Sequence, residues 1–327
     1  MALPDKINQL PTWSSDDRNK WADFIELSCL KADDHFISIN DMLDHYSDER
    51  PEEMDRGSWE HSSKYDRIYS NIEDYFALIT FRAKALKEYY PFEINGDKTL
   101  SLKCELSDSH LFYLFLLFTS NLSFFDGTIR YSLTHAFEDI SCSILRSISS
   151  PFAKTHVFGT SRSGTSGHYR GNLRERISTL ANNLSALTSK AFDRDPMYDV
   201  PGGDGGLDLV SYIPLDNMPF IPVSFAQCAC SYDQWEEKQS SIKPEKWISR
   251  INNIAPYLQF MFVPFYFRRA NGEFENMSTI HTCVIDRHRI FKVAENNRGI
   301  FQEFIEHSIS EKVKDIILPI KIPQVHI

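Results

Sequence analysis

Residues 201–235 read PGGDGGLDLVSYIPLDNMPFIPVSFAQCACSYDQW. Five glycines and aspartates in a row give the segment a flexible start. Two short apolar runs then flank Pro214, Asp216, Asn217 and Pro219, all turn formers, so the stretch predicts a β-hairpin. Side chains of a strand alternate between faces. Asp208, Val210 and Tyr212 therefore share one face of the first strand, and Val223, Phe225, Gln227 and Ala229 one face of the second. A carboxylate and a carboxamide can meet on paired strands.

Hard divalent cations such as Mg²⁺ are held by one or two carboxylates together with neutral oxygens and water. Asp208 supplies the charge; Gln227 or the Cys228 carbonyl supplies a neutral oxygen. The arrangement resembles the PD-(D/E)xK nuclease superfamily, whose fold is restriction-endonuclease-like. There an Asp opens one strand of a hairpin and an acidic residue, or Gln in some branches, lies two residues before a Lys on the next. Asp208 and Gln227 match the first two positions, and Gln-Cys-Ala stands in place of Glu-x-Lys, so Ala229 departs from the third. In branches whose Lys has moved to the following helix, the matching residue here is Lys238, with Lys243 and Lys246 as substitutes. The family's helix before the hairpin often carries a metal-holding Glu, which implies Glu138, next to Phe137. The wording Gly-Gly-Asp-Gly-Gly-Leu-Asp with a later Gln-Cys-Ala and Trp also looks like nuclease-like proteins of bacterial phage-defence loci.

The resemblance implies metal-assisted hydrolysis of DNA phosphodiesters, with Mg²⁺ or Mn²⁺ at Asp208, Gln227 and Glu138 and with Lys238 near the attacking water or the developing charge. It implies DNA as substrate and a partner subunit such as a helicase or ATPase. A second class of function stays open beside it, an inactive nuclease-like module that binds DNA or a partner. The missing Lys at 229, Gln in place of an acid, and the net charge favour that class.

The chain of 327 residues accommodates one large domain or two ordinary ones. A formal charge of −10 argues against a sequence-independent nucleic-acid coat, which needs clustered cations. The densest basic segment is Arg162, His168, Arg170, Arg174 and Arg176, readable as a solvated loop and helix start or as a phosphate-facing patch. Six scattered cysteines and a start without a charged and then apolar leader predict reduced thiols in a cytoplasmic protein. Cys228 and Cys230 lack a second pair at zinc spacing and read as small hydrophobes. The most apolar run, residues 111–118, is shorter than the roughly twenty residues that a membrane helix needs.

Residues 1–130 read as a mainly helical region serving docking or regulation, and 131–327 as the nuclease-like domain, an α/β (α+β) fold with a mixed sheet flanked by helices. Helical spacing runs from Trp21 to Cys29, from Tyr65 to Ile79 and from Leu133 to Ile148, with a polar loop expected at 44–55. The aromatic stripe Tyr65, Tyr69, Tyr75 and Phe76 reads as core in preference to a base-stacking platform. Residues 159–171, GTSRSGTSGHYRG, read as an exposed loop without the P-loop pattern, and a helix follows from Asn172. Past the hairpin, two short helices split by Pro244, a buried strand in 257–267 and an edge strand in 281–293 are expected, then a helical stretch over 300–314 and an extended tail. There is no Gly-x-Ser-x-Gly, no His-Glu-x-x-His and no dinucleotide fingerprint.

Overall fold

The computed structural model describes residues 3–50, 59–96, 98–159, 167–199, 203–233, 235–308 and 311–321. It is an α+β protein of two compact units. The first comprises Met1–Arg130, Phe265–Glu275 and Ile309–Ile327, and the second Tyr131–Pro264 with Asn276–Ser308.

The first unit is built from α1 (Arg18–Lys31), β1 (Phe36–Ser38), α2 (Ile39–Glu49), α3 (Trp59–Leu86), β2 (Phe92–Asn95), β3 (Thr99–Leu102) and α4 (Asp108–Thr119). The strands form an antiparallel sheet in the order β1-β3-β2. In α4 every residue from His110 to Thr119 is buried, as a stretch apolar all round demands, and Ser107 and His110 close a capping box at its start. The stripe of α3 is core: Ile68, Ile72, Tyr75, Phe76 and Ile79 are buried, and Tyr75 stacks on Trp21 with ring centroids 5.6 Å apart. Tyr75 and Phe76 thus face the protein interior, while Tyr65 and Tyr69 are half-buried. The expected loop at 44–55 begins later than its polarity implies, because a Ser38–Asp41 capping box starts α2 and carries it through Glu49; residues 51–58 lie outside those described.

One polar network stands inside this unit. Arg82 Nη1 lies 2.7 Å from both Asp23 Oδ1 and Glu26 Oε1, and all three side chains are buried. Tyr90 and Tyr113 donate their hydroxyls to Glu26, Ser120 and Asn121 donate to Asp23, and the guanidinium lies over the Tyr266 ring. Charges removed from water keep their ionised forms only when so surrounded.

The second unit contains α5 (Gly127–Ile148) from Tyr131 onward, then β4 (Lys154–Val157), α6 (Leu173–Asn183), β5 (Leu187–Thr188), α7 (Lys190–Arg194), β6 (Leu209–Tyr212), β7 (Val223–Cys228), α8 (Trp235–Lys238), α9 (Pro244–Ile248), β8 (Ile251–Asn252), β9 (Leu258–Phe262), β10 (Cys283–Ile285), α10 (Arg287–Asn296) and α11 (Gly299–Glu303). Five strands make a mixed sheet in the order β10-β9-β7-β6-β4. The pairs β4–β6 and β6–β7 are antiparallel, while β7–β9 and β9–β10 are parallel. One face packs against α6 and Trp247: Phe158, Ile177, Leu180, Val210, Phe225 and Trp247 share a core. The end of β4, the start of β6 and the ends of β7, β9 and β10 meet at one end of the sheet, because Val157 pairs with Leu209, Leu209 with Ala226, and Phe262 with both Cys228 and Ile285.

Two expectations are corrected. The segment 281–293 is a strand only over Cys283–Ile285, since the Asp286 side chain accepts the Arg289 amide at 3.0 Å and starts α10. Ile316 and Ile317 end a helix, Glu311–Ile317, and do not begin an extended tail; residues 322–327 lie outside those described.

Candidate active site

The hairpin puts its two polar residues together. Asp208 sits immediately before β6, its amide donating to Ala226 O at 3.0 Å and its carbonyl accepting Phe158 N at 2.6 Å. Anchored from both neighbouring strands, its side chain has little freedom. Gln227 Nε2 donates to Asp208 Oδ2 at 2.6 Å, and Cys228 N donates to the same oxygen at 2.7 Å. Asp208 is 4% exposed and Gln227 6%. Gln227 Oε1 is buried and has no hydrogen-bond partner.

Glu138, on α5, reaches the same place. A methyl group built on Gly159 would stand 3.7 Å from Asp208 Oδ1 and 3.8 Å from Glu138 Oε2, so the two carboxylates approach a common point beside that glycine. Glycine there leaves the space between them open. Burial pushes the Asp208 carboxyl well above the usual range, and the charges of Glu138 and Asp204 add to the rise, against the Cys228 amide. Burial, with the fields of Asp208 and Glu138, likewise raises the Cys228 thiol. Cys228 is buried and Cys230 half-buried, both free thiols.

Asp204 is a residue that sequence reasoning did not single out. Its Oδ1 accepts Gly206 N at 2.6 Å, and its charge adds to the rise of the Asp208 carboxyl. Left-handed Gly203, Gly205 and Gly206 shape this loop. Two buried arginines hold it, Arg176 donating to the carbonyls of Phe158 and Gly203 and Arg250 to that of Gly205 at 2.9 Å. At Gly206 any side chain would meet Ser241 Cβ at 2.5 Å and Lys246 Nζ at 2.9 Å; with φ at +80°, glycine is needed twice over. The glycine and aspartate run signalled a special turn. Nothing in the sequence signalled Arg250.

Lys238, at the end of α8, is exposed and makes no ion pair with a described residue, Glu236 and Glu237 included. Its charge reaches the site indirectly, for it opposes the burial-driven rise of the Cys230 thiol. Lys243 is exposed. Lys246, half-buried on α9, brings its amine against Gly206. Burial and the Arg250 charge lower its pKa, and Asp204 pulls it back up.

The basic segment divides. Arg176 is spent on the glycine loop, and Arg174 on Asp199 and the carbonyls of Phe192 and Asp195. Arg170 and His168 remain exposed, and Arg162 lies outside the described residues.

Among the described residues no group of three or more His, Cys, Asp and Glu side chains is arranged to hold a metal ion. Asp208 and Glu138, with the unpartnered Gln227 Oε1, offer two carboxylates and one neutral oxygen, a donor set that suits a hard cation completed by water. Among the described residues no helix is long and apolar enough to cross a membrane. No protein-family model, curated protein or solved structure matches the chain.

Proposed function

We propose that the second unit is a metal-dependent nuclease of PD-(D/E)xK type that hydrolyses DNA, serving as an effector or subunit of a bacterial anti-phage system. The observation that carries this reading is the contact of Asp208 with Gln227 across β6 and β7, with Glu138 approaching from α5, the helix before β4. Three different elements deliver oxygen donors to one end of a mixed sheet, the disposition that the resemblance implies.

In this reading Asp208, Gln227 Oε1 and Glu138 would hold Mg²⁺ or Mn²⁺. The ion supplies Lewis-acid polarisation of the phosphate and a more acidic water. Asp208 is fixed through its backbone to β4 and β7, so its oxygens are positioned before substrate arrives. Gln227 Oε1, which has no hydrogen-bond partner, would be the neutral donor, while Nε2 keeps its bond to Asp208. Lys238 or Lys246 stabilises the charge that develops on the phosphate. A helicase or ATPase partner would deliver DNA to a chain whose net charge of −10 opposes unaided binding.

The competing reading is a non-cutting module that binds DNA or a partner protein. One observation favours it: Ala229, in the position of the motif lysine, is 1% exposed and leaves no cation between the strands. Incubation of plasmid and linear DNA with Mg²⁺ or Mn²⁺, with and without candidate partner subunits, separates the two. The nuclease reading expects cutting that EDTA and Asp208→Ala both abolish. Cutting that survives Asp208→Ala moves the active site elsewhere. No cutting with retained binding leaves the module.

A further inference from the structure

β4 is an edge strand. It stands last in the order β10-β9-β7-β6-β4 and, among the described residues, pairs only with β6. On an acidic chain, this edge carries cations. Lys154 and His156 lie two apart on the strand and share a face. The His168 ring stacks on His156 with centroids 4.1 Å apart and planes within 15°. Arg146, in the last turn of α5, is close enough for its charge to be felt at His156, as are Lys154 and His168.

These groups are largely uncommitted. Lys154 is exposed and makes no ion pair with a described residue. Arg146 keeps a side-chain exposure of 55% and is shared only at 3.6 Å with Glu303. His156 Nε2 has no hydrogen-bond partner. His168 is exposed, its Nε2 2.7 Å from Asn183 Nδ2. Arg170, also exposed, donates to Gly167 O. Lys154 and Arg146 can turn to an arriving anion, whose charge favours the protonated form of the His156 ring beside them.

The edge also leads somewhere. Immediately past Val157 the amides of Phe158 and Gly159 donate to the Asp208 carbonyl, and Gly159 lies beside the Asp208 and Glu138 carboxylates. At ~3.3 Å per residue, Lys154 to Gly159 is about 16 Å of extended chain. One strand of duplex DNA places a phosphate every ~3.4 Å along the axis, so the edge spans several phosphates.

We propose that Arg146, Lys154, His156 and His168 form a phosphate track along the β4 edge that binds the DNA backbone and leads it to the Asp208 end of the sheet. The inference rests on the nuclease reading for its substrate, but its cations are distinct from the residues of the site. The track accounts for how a chain of charge −10 receives a polyanion: two cations and two imidazole rings gather along one edge. Recognition is of the backbone and carries no sequence preference.

The test is the salt dependence of binding of a fluorescein-labelled duplex to the full chain in Ca²⁺, read by anisotropy, beside cutting in Mg²⁺ and Mn²⁺. Removing one phosphate-binding cation lowers the slope of log K against log salt by about 1. Arg146→Ala and Lys154→Ala are expected to lower it by that amount each, Lys154→Glu to weaken binding further, and Lys314→Ala, in the first unit, to change neither. Circular dichroism of each variant verifies that it is folded. Unchanged slopes in Arg146→Ala and Lys154→Ala overturn the track, whether or not DNA is cut. Slopes that fall while nothing is cut keep the track and bring down the nuclease reading. A wild-type chain that binds no duplex at about 50 mM salt, where phosphate contacts are strong, overturns the track and leaves the nuclease reading to the cutting assay with partner subunits.

Discussion

Gln227 gives its amide hydrogen to Asp208 Oδ2 at 2.6 Å while its own Oε1, buried in the same place, has no partner. A buried carboxamide that uses one end and wastes the other is costly, by ~1–3 kcal/mol for the unsatisfied atom. A cation held by Asp208 and Gln227 Oε1 would satisfy that atom. The same contact serves the hairpin, because the Asp208 carboxylate also accepts the Cys228 amide at the end of the β6–β7 ladder. Structure and chemistry make opposite demands on Asp208, and they separate on mutation.

Asp208→Asn removes a buried negative charge that lies near Glu138 and Asp204, yet leaves an oxygen to accept from Cys228. The Asp208 carboxyl is raised above its unfolded value, so its ionisation costs stability as pH climbs past the unfolded pKa and on toward the folded one. At neutral pH without metal the variant is therefore expected to melt at the same or a higher temperature than wild type. Mn²⁺ should raise the melting temperature of wild type and leave Asp208→Asn unmoved, as binding to the folded state alone requires. Differential scanning fluorimetry at pH 7 with and without Mn²⁺ reads both; a variant that melts far lower makes Asp208 a structural cap first.

The two amines near the site are told apart by exposure and setting. Lys238 stands at the surface, whereas Lys246 is half-buried against Gly206 and next to Arg250, which is itself bonded to the Gly205 carbonyl. A cation held on a rigid element and partly shielded from water acts more strongly on a developing charge than an exposed one. Lys246→Ala is expected to lower the cutting rate by ~10²-fold or more, the scale of losing one preorganised group, and Lys238→Ala by less than about tenfold. Single-turnover rates of the two variants decide between them, and a larger loss in Lys238→Ala reverses the assignment.

Arg82 holds the other concentrated charge of the molecule. With Asp23 and Glu26 both buried against it, Arg82→Met would leave two carboxylates in the first unit without their counter-charge. The expected loss is about 3–5 kcal/mol. Tyr113→Phe, which removes the hydroxyl that reaches both Glu26 oxygens, is expected to cost about 1–3 kcal/mol. Urea titrations followed by circular dichroism measure both, and a loss below about 1 kcal/mol in Arg82→Met, the scale of a solvent-exposed ion pair, would mean that water reaches the pair.

The parts of this architecture that repeat were legible in the sequence. Residues 208–212 and 223–229 alternate, so a hairpin on which Asp208 and Gln227 can meet was legible, while their register came from the structure; the spacing of Ile68, Ile72, Tyr75 and Ile79 fixes the buried face of α3. What lay hidden depends on single long-range contacts. Arg82 is one charged residue in an amphipathic helix until Asp23 and Glu26, more than fifty residues away, are placed beside it. Arg250 and Lys246 belong to a polar stretch, and only the close approach at Gly205 and Gly206 gives them a role. The helix of α10 was missed because β-branched residues continue through Val284 and Ile285 up to Asp286, and one capping side chain outweighs that propensity.

His156 links stability, pH and substrate. Burial, followed by the charges of His168, Lys154 and Arg146, lowers its pKa from 6.5 to about 4. A histidine whose folded pKa is depressed stabilises the fold fully above its unfolded value. That contribution is lost as pH falls from 6.5 toward about 4 and changes no further below. His156→Phe keeps a ring against His168 and Tyr212 and cannot titrate, so its stability should fall less steeply than that of wild type across that window. Bound phosphate reverses the sign, because an anion beside His156 and His168 favours the protonated ring. Duplex binding by wild type is therefore expected to take up protons and to tighten as pH falls from 6.5 toward about 4. In His156→Phe the tightening should be weaker. Anisotropy titrations at pH 7.5, 6.5 and 5.5, about one unit to either side of the ordinary histidine pKa, read this directly. Equal pH dependence in the two chains would place the phosphates away from His156.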